Sequence, residues 1–261
     1  MAKIIAIANQ KGGVGKTTTA VNLAANLAAA DWSTLLIDLD PQGNATSGLG
    51  IAVDDDTLSS YEVLLGTTQV SKAAQTVYFD NLELIPSARR LVGAEVELVS
   101  SDQREFQLKR SLETARDQYD FILIDCAPSL GLLTVNALTA ADSILVPIQC
   151  EYYALEGLTD LLDTIGRVRT AVNPRLSVEG ILLTMADERT NLSKQVEAEV
   201  RSHLAELVFD TVIPRNVRLG EAPSFGKPII LYDLRSAGAQ SYLSLMREVV
   251  KNGTERARAG A

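Results

Sequence analysis

The stretch of glycines near the start of the chain limits the possible folds more than any other feature of the sequence. Residues 9 to 19 read Asn-Gln-Lys-Gly-Gly-Val-Gly-Lys-Thr-Thr-Thr, and they follow a short apolar, β-branched run over residues 3 to 8. Residues 17 to 30 then carry Ala, Leu and Asn at helical spacing. The glycines therefore lie between a predicted strand and a predicted helix, which is where phosphate-binding loops occur.

Each part of this loop favours a polyphosphate ligand. Glycines let several backbone N–H groups point into one concavity, and the N-terminus of the following helix adds a partial positive charge. Lys16 supplies a full positive charge, and the hydroxyl group of Thr17 is suited to bind Mg²⁺. The strict pattern requires a glycine where this chain has Gln10, yet the remaining Gly-Gly-x-Gly-Lys-Thr is specific. We expect the nucleotide to contact Gly12, Gly13, Val14, Gly15, Lys16, Thr17 and Thr18.

A second lysine, Lys11, is not required by an ordinary phosphate loop. The run from Lys11 to Thr17 resembles the deviant Walker A box of the ParA/MinD group of ATPases. The resemblance implies that Lys11 reaches across a homodimer to the partner's nucleotide, so that Lys11, like Lys16, is a catalytic charge. The alternative is a solvated loop lysine. Gln10 is typical of ParA proteins, since MinD proteins usually have glycine at that position.

Two carboxylates follow the second predicted strand, residues 33 to 38, at the edge where such sheets bind ligands. Asp40 is predicted to accept a hydrogen bond from the water that attacks the γ-phosphate, and thereby to orient it. Asp38 is predicted to hold a Mg²⁺-bound water. The Asp-Pro and Gln-Gly residues here also suit a plain turn after a strand. The run Asp-x-Asp-Pro-Gln-Gly-Asn resembles the second motif of the ParA family.

An apolar run that ends in a single carboxylate, residues 121 to 125, has the Walker B pattern. Asp125 is predicted to bind Mg²⁺ through water, so that Thr17, Asp38 and Asp125 form the predicted metal site. Residues 126 to 129 are predicted to be a switch segment that responds to loss of the γ-phosphate. ATP and Mg²⁺ are therefore the expected cofactors.

Strand-like runs alternate with helical stretches along the rest of the chain. Further strands are predicted over residues 82–86, 143–147 and 179–184, and helices over residues 59–65, 94–99, 105–115, 155–172 and 242–251. This alternation predicts an α/β fold, a mostly parallel twisted sheet with helices on both faces. The motifs assign it to the P-loop NTPases of deviant Walker A type. Residues 1–252 are expected to form a single ATPase domain, and residues 253–261 a short flexible tail.

The charge of the chain is unevenly distributed. The net charge is −9, which taken alone argues against nucleic-acid binding. Residues 211–261, however, carry a net charge of +4 and the rest of the chain −13. This asymmetry permits a local basic face. The ParA resemblance implies that Arg189 and Arg218 bind double-stranded DNA without sequence preference, although single surface arginines are usually just solvated. No helix-turn-helix motif is apparent.

The remaining features narrow the class of protein. The two cysteines, Cys126 and Cys150, are too far apart for a disulfide framework and are predicted to be small buried thiols, although an iron–sulfur cluster shared between subunits is the alternative. His203 is predicted to lie on the surface. The family resemblance implies that Pro214 and Asn216 belong to a segment that contacts adenine through its backbone, and residues 151 to 156 are a candidate dimer contact.

These observations predict an ATP-dependent switch of the ParA/Soj type. By resemblance, it forms an ATP sandwich homodimer, binds non-specific DNA, hydrolyses ATP slowly and responds to a ParB-type centromere-binding protein during chromosome or plasmid segregation. The expected location is cytoplasmic and nucleoid-associated. The chief alternative is a MinD-like membrane-surface or organelle-positioning ATPase with an amphipathic C-terminal helix. A redox iron protein and a small-molecule synthetase or kinase of the same superfamily also stay open.

Overall fold

The computed structural model describes residues 1–151, 154–187 and 189–259. The strands in these ranges are β1 (Lys3–Ile7), β2 (Thr34–Leu39), β3 (Gln75–Val77), β4 (Phe79–Ile85), β5 (Phe121–Cys126), β6 (Ser143–Gln149), β7 (Ser177–Ala186) and β8 (Val208–Pro214). They form one sheet in the order β3-β4-β2-β5-β1-β6-β7-β8. Every neighbouring pair is parallel except β3 and β4. The mostly parallel sheet predicted from the sequence is confirmed.

Helices connect these strands. They are α1 (Lys16–Ala29), α2 (Asn44–Gly48), α3 (Ser60–Leu64), α4 (Val70–Ala73), α5 (Leu91–Leu98), α6 (Gln107–Glu113), α7 (Leu132–Ala140), α8 (Ala154–Ala171), α9 (Asn191–Leu204), α10 (Val217–Glu221), α11 (Ile229–Tyr232) and α12 (Ala237–Ala259). Short 3₁₀ turns occur at Arg104–Phe106, Ala205–Leu207 and Ala222–Phe225. No helix in the described ranges is long and apolar enough to cross a membrane.

Alternation along the central strands builds a hydrophobic core on each face of the sheet. In β1, Ile4 and Ala6 belong to one core, whereas Ile5 and Ile7 belong to the other. Successive strand residues point to opposite faces, so a strand that is apolar throughout must be covered on both sides. Helices α5 to α9 cover the first face, and α1, α11 and α12 cover the second. The prediction of helices on both faces is therefore confirmed.

Parallel pairing brings the carboxyl ends of seven strands to one edge of the sheet. In the register of the central strands, Asp125 of β5 lies beside Ile7 of β1 on one side and beside Asp38 of β2 on the other. The loop after β1 and the two carboxylates therefore meet at the middle of this edge, where ligands bind in open α/β sheets.

The two ends of the sheet differ from the sequence prediction. The antiparallel strand β3 and the outer strand β8 are not among the predicted strands. β3 has only three residues, and β8 interrupts its apolar run with polar residues, so neither gives a strong local signal.

The C-terminal helix is longer than predicted at both ends. The prediction that it stops at Asn252-Gly253 is wrong, because α12 runs from Ala237 to Ala259. Its residues Tyr242, Leu245 and Val249 are buried against the domain. Such packing outweighs the helix-breaking tendency of one glycine, which is about 1 kcal/mol. Residues 260 and 261 of the predicted tail lie outside the described part of the chain.

Candidate functional site

The glycine-rich loop leaves β1 and is fixed at its start by a buried amide side chain. Asn9 donates a hydrogen bond from Nδ2 to the carbonyl oxygen of Pro147 (2.7 Å), and its Oδ1 accepts one from the backbone N–H of Lys11 (3.0 Å). Further along, the Thr184 hydroxyl donates to the carbonyl oxygen of Val14 (2.9 Å), whose side chain is buried. The loop is thus attached to β6 and β7 before any ligand binds.

Glycine is required within the loop by the backbone itself. Gly13 and Gly15 have φ angles of 74° and 89°, in the left-handed region that other residues rarely adopt. Around Gly12 and Gly13, a Cβ atom would meet nothing within 4 Å, so this side of the loop is open. Helix α1 begins immediately afterwards, and no side chain caps its N-terminus. Uncapped N–H groups of this kind bind phosphate oxygens.

Lys16, the first residue of α1, is only 6% exposed. Its Nζ donates a hydrogen bond to the carbonyl oxygen of Lys11 (3.0 Å). Burial lowers the pKa of Lys16, whereas the neighbouring carboxyl groups of Asp125 and Asp40 act in the opposite direction. A buried ammonium group whose hydrogen-bond partner is a neutral carbonyl retains its attraction for an anion.

Lys11, at the start of the loop, is exposed to solvent. Its Nζ pairs with Glu151 Oε2 at 3.0 Å, and the two side chains are 45% and 46% exposed. Exposed ion pairs of this type contribute little stability and exchange readily. Of the candidate dimer contact over residues 151 to 156, the structure describes Glu151 fully; residues 152 and 153 and the side chains of 154 to 156 lie outside the described residues.

Asp125 is a fully buried carboxylate with few hydrogen-bond partners and a raised pKa. Neither of its oxygens has a hydrogen bond of ordinary geometry, although the Thr17 hydroxyl is close enough to influence it. Burial raises the pKa of Asp125 well above its ordinary value, and the neighbouring Asp38 raises it further. An unpaired buried carboxylate is costly unless a cation is bound nearby. The oxygen ligands present at this position therefore fit Mg²⁺.

The composition of this cluster also fits a magnesium ion that is shared with a phosphate. Within the ranges described, no three His, Cys, Asp or Glu side chains are grouped so that they would hold a metal ion. Mg²⁺ at phosphate sites typically takes one or two protein ligands and completes its shell with water and phosphate oxygens. The Thr17 hydroxyl and the Asp125 carboxylate are the ligands suited to this role.

Asp38 is occupied by hydrogen bonds within the protein. Its Oδ2 accepts from the backbone N–H (2.8 Å) and hydroxyl (2.7 Å) of Thr46, and its Oδ1 accepts from the N–H of Asp40 (3.2 Å). Burial raises the pKa of Asp38 to about 6, and these hydrogen bonds oppose the rise. Asp38 lies beside Asp125, as the metal prediction requires, but its observed contacts hold the loop after β2.

Asp40, the predicted catalytic carboxylate, is buried at the same edge. Its Oδ1 accepts a hydrogen bond from the backbone N–H of Gln42 (2.9 Å). Its other carboxylate oxygen has no hydrogen bond to the residues that the structure describes. Its backbone carbonyl oxygen accepts from the Ser87 hydroxyl (2.7 Å) and from the N–H of Gly43 (2.9 Å). One carboxylate oxygen is therefore fixed, and the other remains available to a water molecule.

A pocket of about 210 Å³ opens beside the start of α1. Gly15 and Thr18 line it on one side, and Pro214 and Asn216 line it on the other. The Asn216 side chain caps α10 by accepting from the N–H of Arg218 (2.9 Å), and its backbone carbonyl accepts from the N–H of Leu219 (3.2 Å). This pocket is next to the predicted phosphate loop and is where a nucleotide base would reach.

The lining of this pocket includes a strained residue. Met185, in β7, has a φ angle of 52°, which is uncommon for a residue with a side chain. Strained backbone of this kind is retained mainly where it serves a ligand.

The two predicted DNA-binding arginines lie at the β7–β8 end of the same edge. Arg189 is 86% exposed and forms a two-bonded ion pair with Asp187 (2.8 and 2.7 Å), which lowers the pKa of Asp187 to about 2. Arg218 is 53% exposed and pairs with Glu221 (2.8 Å) and Asp233 (3.5 Å). Each charge is thus matched by a local carboxylate.

A third arginine, which the sequence prediction did not include, lies between these two in the sequence. Arg215 is exposed, follows β8 directly and lines the same depression as Arg189. Among the described residues its side chain has no hydrogen bond or ion pair. Its positive charge nevertheless helps to lower the pKa of the nearby Asp187.

Other sequence predictions have clear outcomes. Cys126 and Cys150 are buried free thiols, as predicted, and burial raises the pKa of both. His203 is exposed, as predicted. The sequence analysis gave no role to Thr46 and Ser87, whose hydroxyl groups hold the loop that carries Asp40. The only sequence feature that could have indicated them is their position, since Ser87 follows the end of β4 and Thr46 lies six residues beyond Asp40.

Comparisons with known proteins agree with this geometry. A family model described as an AAA domain matches residues 2–178. The chain is 57% identical to the sporulation initiation inhibitor protein Soj of Bacillus subtilis, over 97% of this chain and 100% of that protein. It is 56% identical to the chromosome partitioning protein ParA of Myxococcus xanthus, over 97% and 90% of the respective chains.

A solved structure shares the fold at lower identity. It is the cobyrinic acid a,c-diamide synthase of Mycobacterium smegmatis with a bound ATP analogue and magnesium. The two chains align with a TM-score of 0.85 and 37% identity, over 97% of this chain and 96% of the other.

Proposed function

Because the chain belongs to the ParA/Soj family of chromosome-partitioning proteins, we propose that it is an ATP-dependent dimerisation switch that moves DNA. In this proposal it binds ATP and Mg²⁺, forms a sandwich homodimer, binds DNA without sequence preference, and releases the DNA after hydrolysis. Its identity to partitioning proteins, 56–57%, exceeds its 37% identity to the synthase, which favours this function over small-molecule synthesis.

Nucleotide binding is supported by the state of the phosphate loop. The uncapped N-terminus of α1 and the buried Lys16 present positive charge toward the open side of the loop. Thr17 and Asp125 would hold Mg²⁺, which would neutralise phosphate charge when bound. Pro214 and Asn216 would border the adenine base.

Dimerisation is supported by the contrast between the two loop lysines. Lys16 is buried, whereas Lys11, which precedes the open glycines Gly12 and Gly13 in the chain, is exposed. A partner subunit that approaches this face would receive Lys11 at its own nucleotide. Lys11 must first leave Glu151, which costs little because the pair is exposed.

Hydrolysis is supported by the geometry of Asp40. The carboxylate is oriented by the Gln42 N–H and keeps one oxygen for the attacking water. Asp40 orients this water and does not need to become a strong base, so turnover is expected to be slow. In the proposal, a ParB-type partner accelerates the step, and loss of the γ-phosphate releases the switch residues 126–129.

DNA binding is supported by exposed arginines at one end of the same edge. Arg189, Arg215 and Arg218 require only contact with phosphates, and a dimer doubles their number. A nucleoid-associated location in the cytoplasm follows from this activity. The alternative of a MinD-like membrane-surface protein has less support, since the apolar side of α12 is buried in the domain.

The observation that carries the proposal is the orphaned, buried Asp125 beside the uncapped start of α1, and DNA binding tests it. Binding to random-sequence duplex DNA should be measured with ATP, ADP or no nucleotide at several salt concentrations. We expect binding with ATP only, weakening as salt rises. Lys11→Ala is the matched control and should bind ATP but not DNA. Absence of DNA binding with intact ATP-dependent dimerisation would contradict the DNA role and favour another cargo.

A further inference from the structure

The loop that carries Asp40 is held by a residue from a different strand. Ser87 follows β4 and is 3% exposed. Its hydroxyl donates to the carbonyl oxygen of Asp40 (2.7 Å), while the N–H of Asp40 donates to Asp38 (3.2 Å). The N–H group of Asp40 is therefore held locally by Asp38, and its carbonyl group is held by Ser87 from a different strand. Few conformations of this residue satisfy both bonds.

A second hydroxyl joins the two strands. Thr46, in α2, is also 3% exposed. Its Oγ1 donates to Asp38 Oδ2 (2.7 Å) and accepts from the N–H of Ser87 (2.9 Å). The Thr46 hydroxyl is thus used as both donor and acceptor, and it closes a buried network between the ends of β2 and β4. Loss of the Ser87 hydroxyl breaks one hydrogen bond of this network, and loss of the Thr46 hydroxyl breaks two.

The function of so complete a network is not explained by nucleotide binding. Neither Thr46 nor Ser87 belongs to the phosphate loop or the base pocket, and both hydrogen-bond to the segment of Asp38 and Asp40. We propose that Thr46 and Ser87 are positioning residues for hydrolysis, which fix the direction in which Asp40 presents its free carboxylate oxygen. This inference rests on the proposed role of Asp40 as the residue that orients the attacking water. Small displacements of such groups reduce rates strongly.

Single-turnover hydrolysis separates this role from a general structural one. Ser87→Ala removes one hydrogen bond, while the Asp40 carbonyl keeps its bond from the Gly43 N–H, so the fold should persist. We expect the hydrolysis rate of Ser87→Ala, which loses one buried hydrogen bond, to fall about tenfold, and that of Thr46→Val, which loses two, to fall at least as much. ATP affinity and ATP-dependent dimerisation should change less than twofold. Thr46→Ser, which keeps the hydroxyl, should recover at least half of the rate.

A double-mutant cycle identifies the residue through which Ser87 acts. Asp40→Ala should be measured alone and together with Ser87→Ala. If Ser87 acts through Asp40, the second substitution lowers the rate no further; an additional tenfold loss would overturn the proposal. Rapid ATP hydrolysis by Asp40→Ala would instead contradict the role proposed for Asp40 itself. Failure of the Asp40 proposal is therefore distinguishable from failure of the Ser87 proposal.

A buried threonine elsewhere supplies the matched control. Thr139 in α7 is 1% exposed, and its hydroxyl donates to the Val135 carbonyl (2.7 Å), away from the site. Thr139→Val should hydrolyse ATP at the wild-type rate at a temperature where all variants are folded. Equal losses in Thr139→Val and Thr46→Val, or loss of ATP affinity in proportion to rate in Ser87→Ala, would mean a structural role only.

Discussion

The middle and the outer end of the same sheet edge are built on different principles. In the middle, at β1, β2 and β5, the charged groups Lys16, Asp38, Asp40 and Asp125 are at most 6% exposed. Their partners are backbone groups and hydroxyls, or are lacking, as at Asp125. Such groups are fixed before a ligand binds, and their electrostatic interactions are little screened by salt.

At the outer end, beside β7 and β8, the charges are exposed. Arg189 and Arg218 are each paired with a nearby carboxylate, and Arg215 is exposed and lacks a partner among the described residues. Pairs of this type are weak and are screened by salt. In the middle of the edge, ligand binding should therefore depend on individual hydrogen-bonding atoms. At the outer end, it should depend on the total charge of the surface. Substitutions at the two places should differ in size and in salt dependence.

Lys16→Ala should have the largest effect. It removes the buried positive charge at the start of α1, and we expect ATP affinity to fall at least about 100-fold, since charged hydrogen bonds contribute about 1.5–3 kcal/mol each. Titration with a fluorescent ATP analogue would measure it. Lys11→Ala is the control and should leave the ATP affinity of the monomer nearly unchanged. Retained ATP binding by Lys16→Ala would refute the assignment.

Asp40→Ala should have the next largest effect, on rate alone. Without the carboxylate that orients water, ATP hydrolysis should fall about 100-fold, while ATP binding is kept. The protein should therefore accumulate as an ATP dimer, which gel filtration with light scattering would detect. A variant that remains monomeric with saturating ATP would count against this role.

Asp125→Asn tests the cost of the orphaned carboxylate in the middle of the edge. The pKa values of Asp125 and Asp38 are raised by burial, so the folded chain keeps protons that the unfolded chain loses above about pH 4. The free energy of unfolding without nucleotide should therefore fall as the pH rises from about 4 through 6. Asp125→Asn should lessen this fall and stabilise the nucleotide-free protein at pH 7 by about 1–3 kcal/mol.

Urea unfolding across this pH range would measure the effect of Asp125→Asn, and Mg²⁺-dependent ATP affinity is the companion measurement. Affinity should decrease in the same variant that gains stability. Identical pH profiles for variant and wild type would mean that Asp125 is not penalised by its burial.

The same contrast explains how much the sequence revealed. The sequence predicted nucleotide-site roles for Gly13, Gly15, Lys16 and Asp125, because each is required at a fixed distance from a strand end. The alternation of apolar runs likewise predicted the parallel sheet. Ser87, however, is hydrogen-bonded to Asp40, which lies 47 residues earlier in the chain. No local sequence pattern indicates a contact of this kind.

The outer end of the sheet was the least predictable for a related reason. β8 has three residues of partial exposure and only a broken apolar pattern. Helix α12 also continues beyond Gly253, where local propensity favours an end. The ion pairs of Arg189 and Arg218 depend on carboxylates, such as Asp187 beside Arg189, that composition alone does not identify.

Charge substitutions at the outer end should have smaller effects that vanish at high salt. Arg218→Glu should weaken DNA binding by ATP-loaded protein about tenfold at low salt and lower the salt dependence, because phosphate contacts are lost. ATP-dependent dimerisation should be unchanged. DNA binding by Arg218→Glu that equals the wild type at every salt concentration would refute the role of this residue.

Substitutions that alter the pairing between the surface arginines and their neighbouring carboxylates should have the smallest effect on DNA binding. Glu221 holds Arg218 at 2.8 Å, so Glu221→Gln should release that charge and strengthen DNA binding about two- to threefold at low salt. Arg215→Ala should weaken binding more than Arg189→Ala, because Arg189 is bonded directly to Asp187 whereas Arg215 has no ion pair among the described residues. ATP affinity must be measured alongside, since Arg215 also lines the base pocket. Equal losses in Arg215→Ala and Arg189→Ala would mean that DNA displaces the carboxylates without cost, and that the outer end is governed by the number of arginines alone.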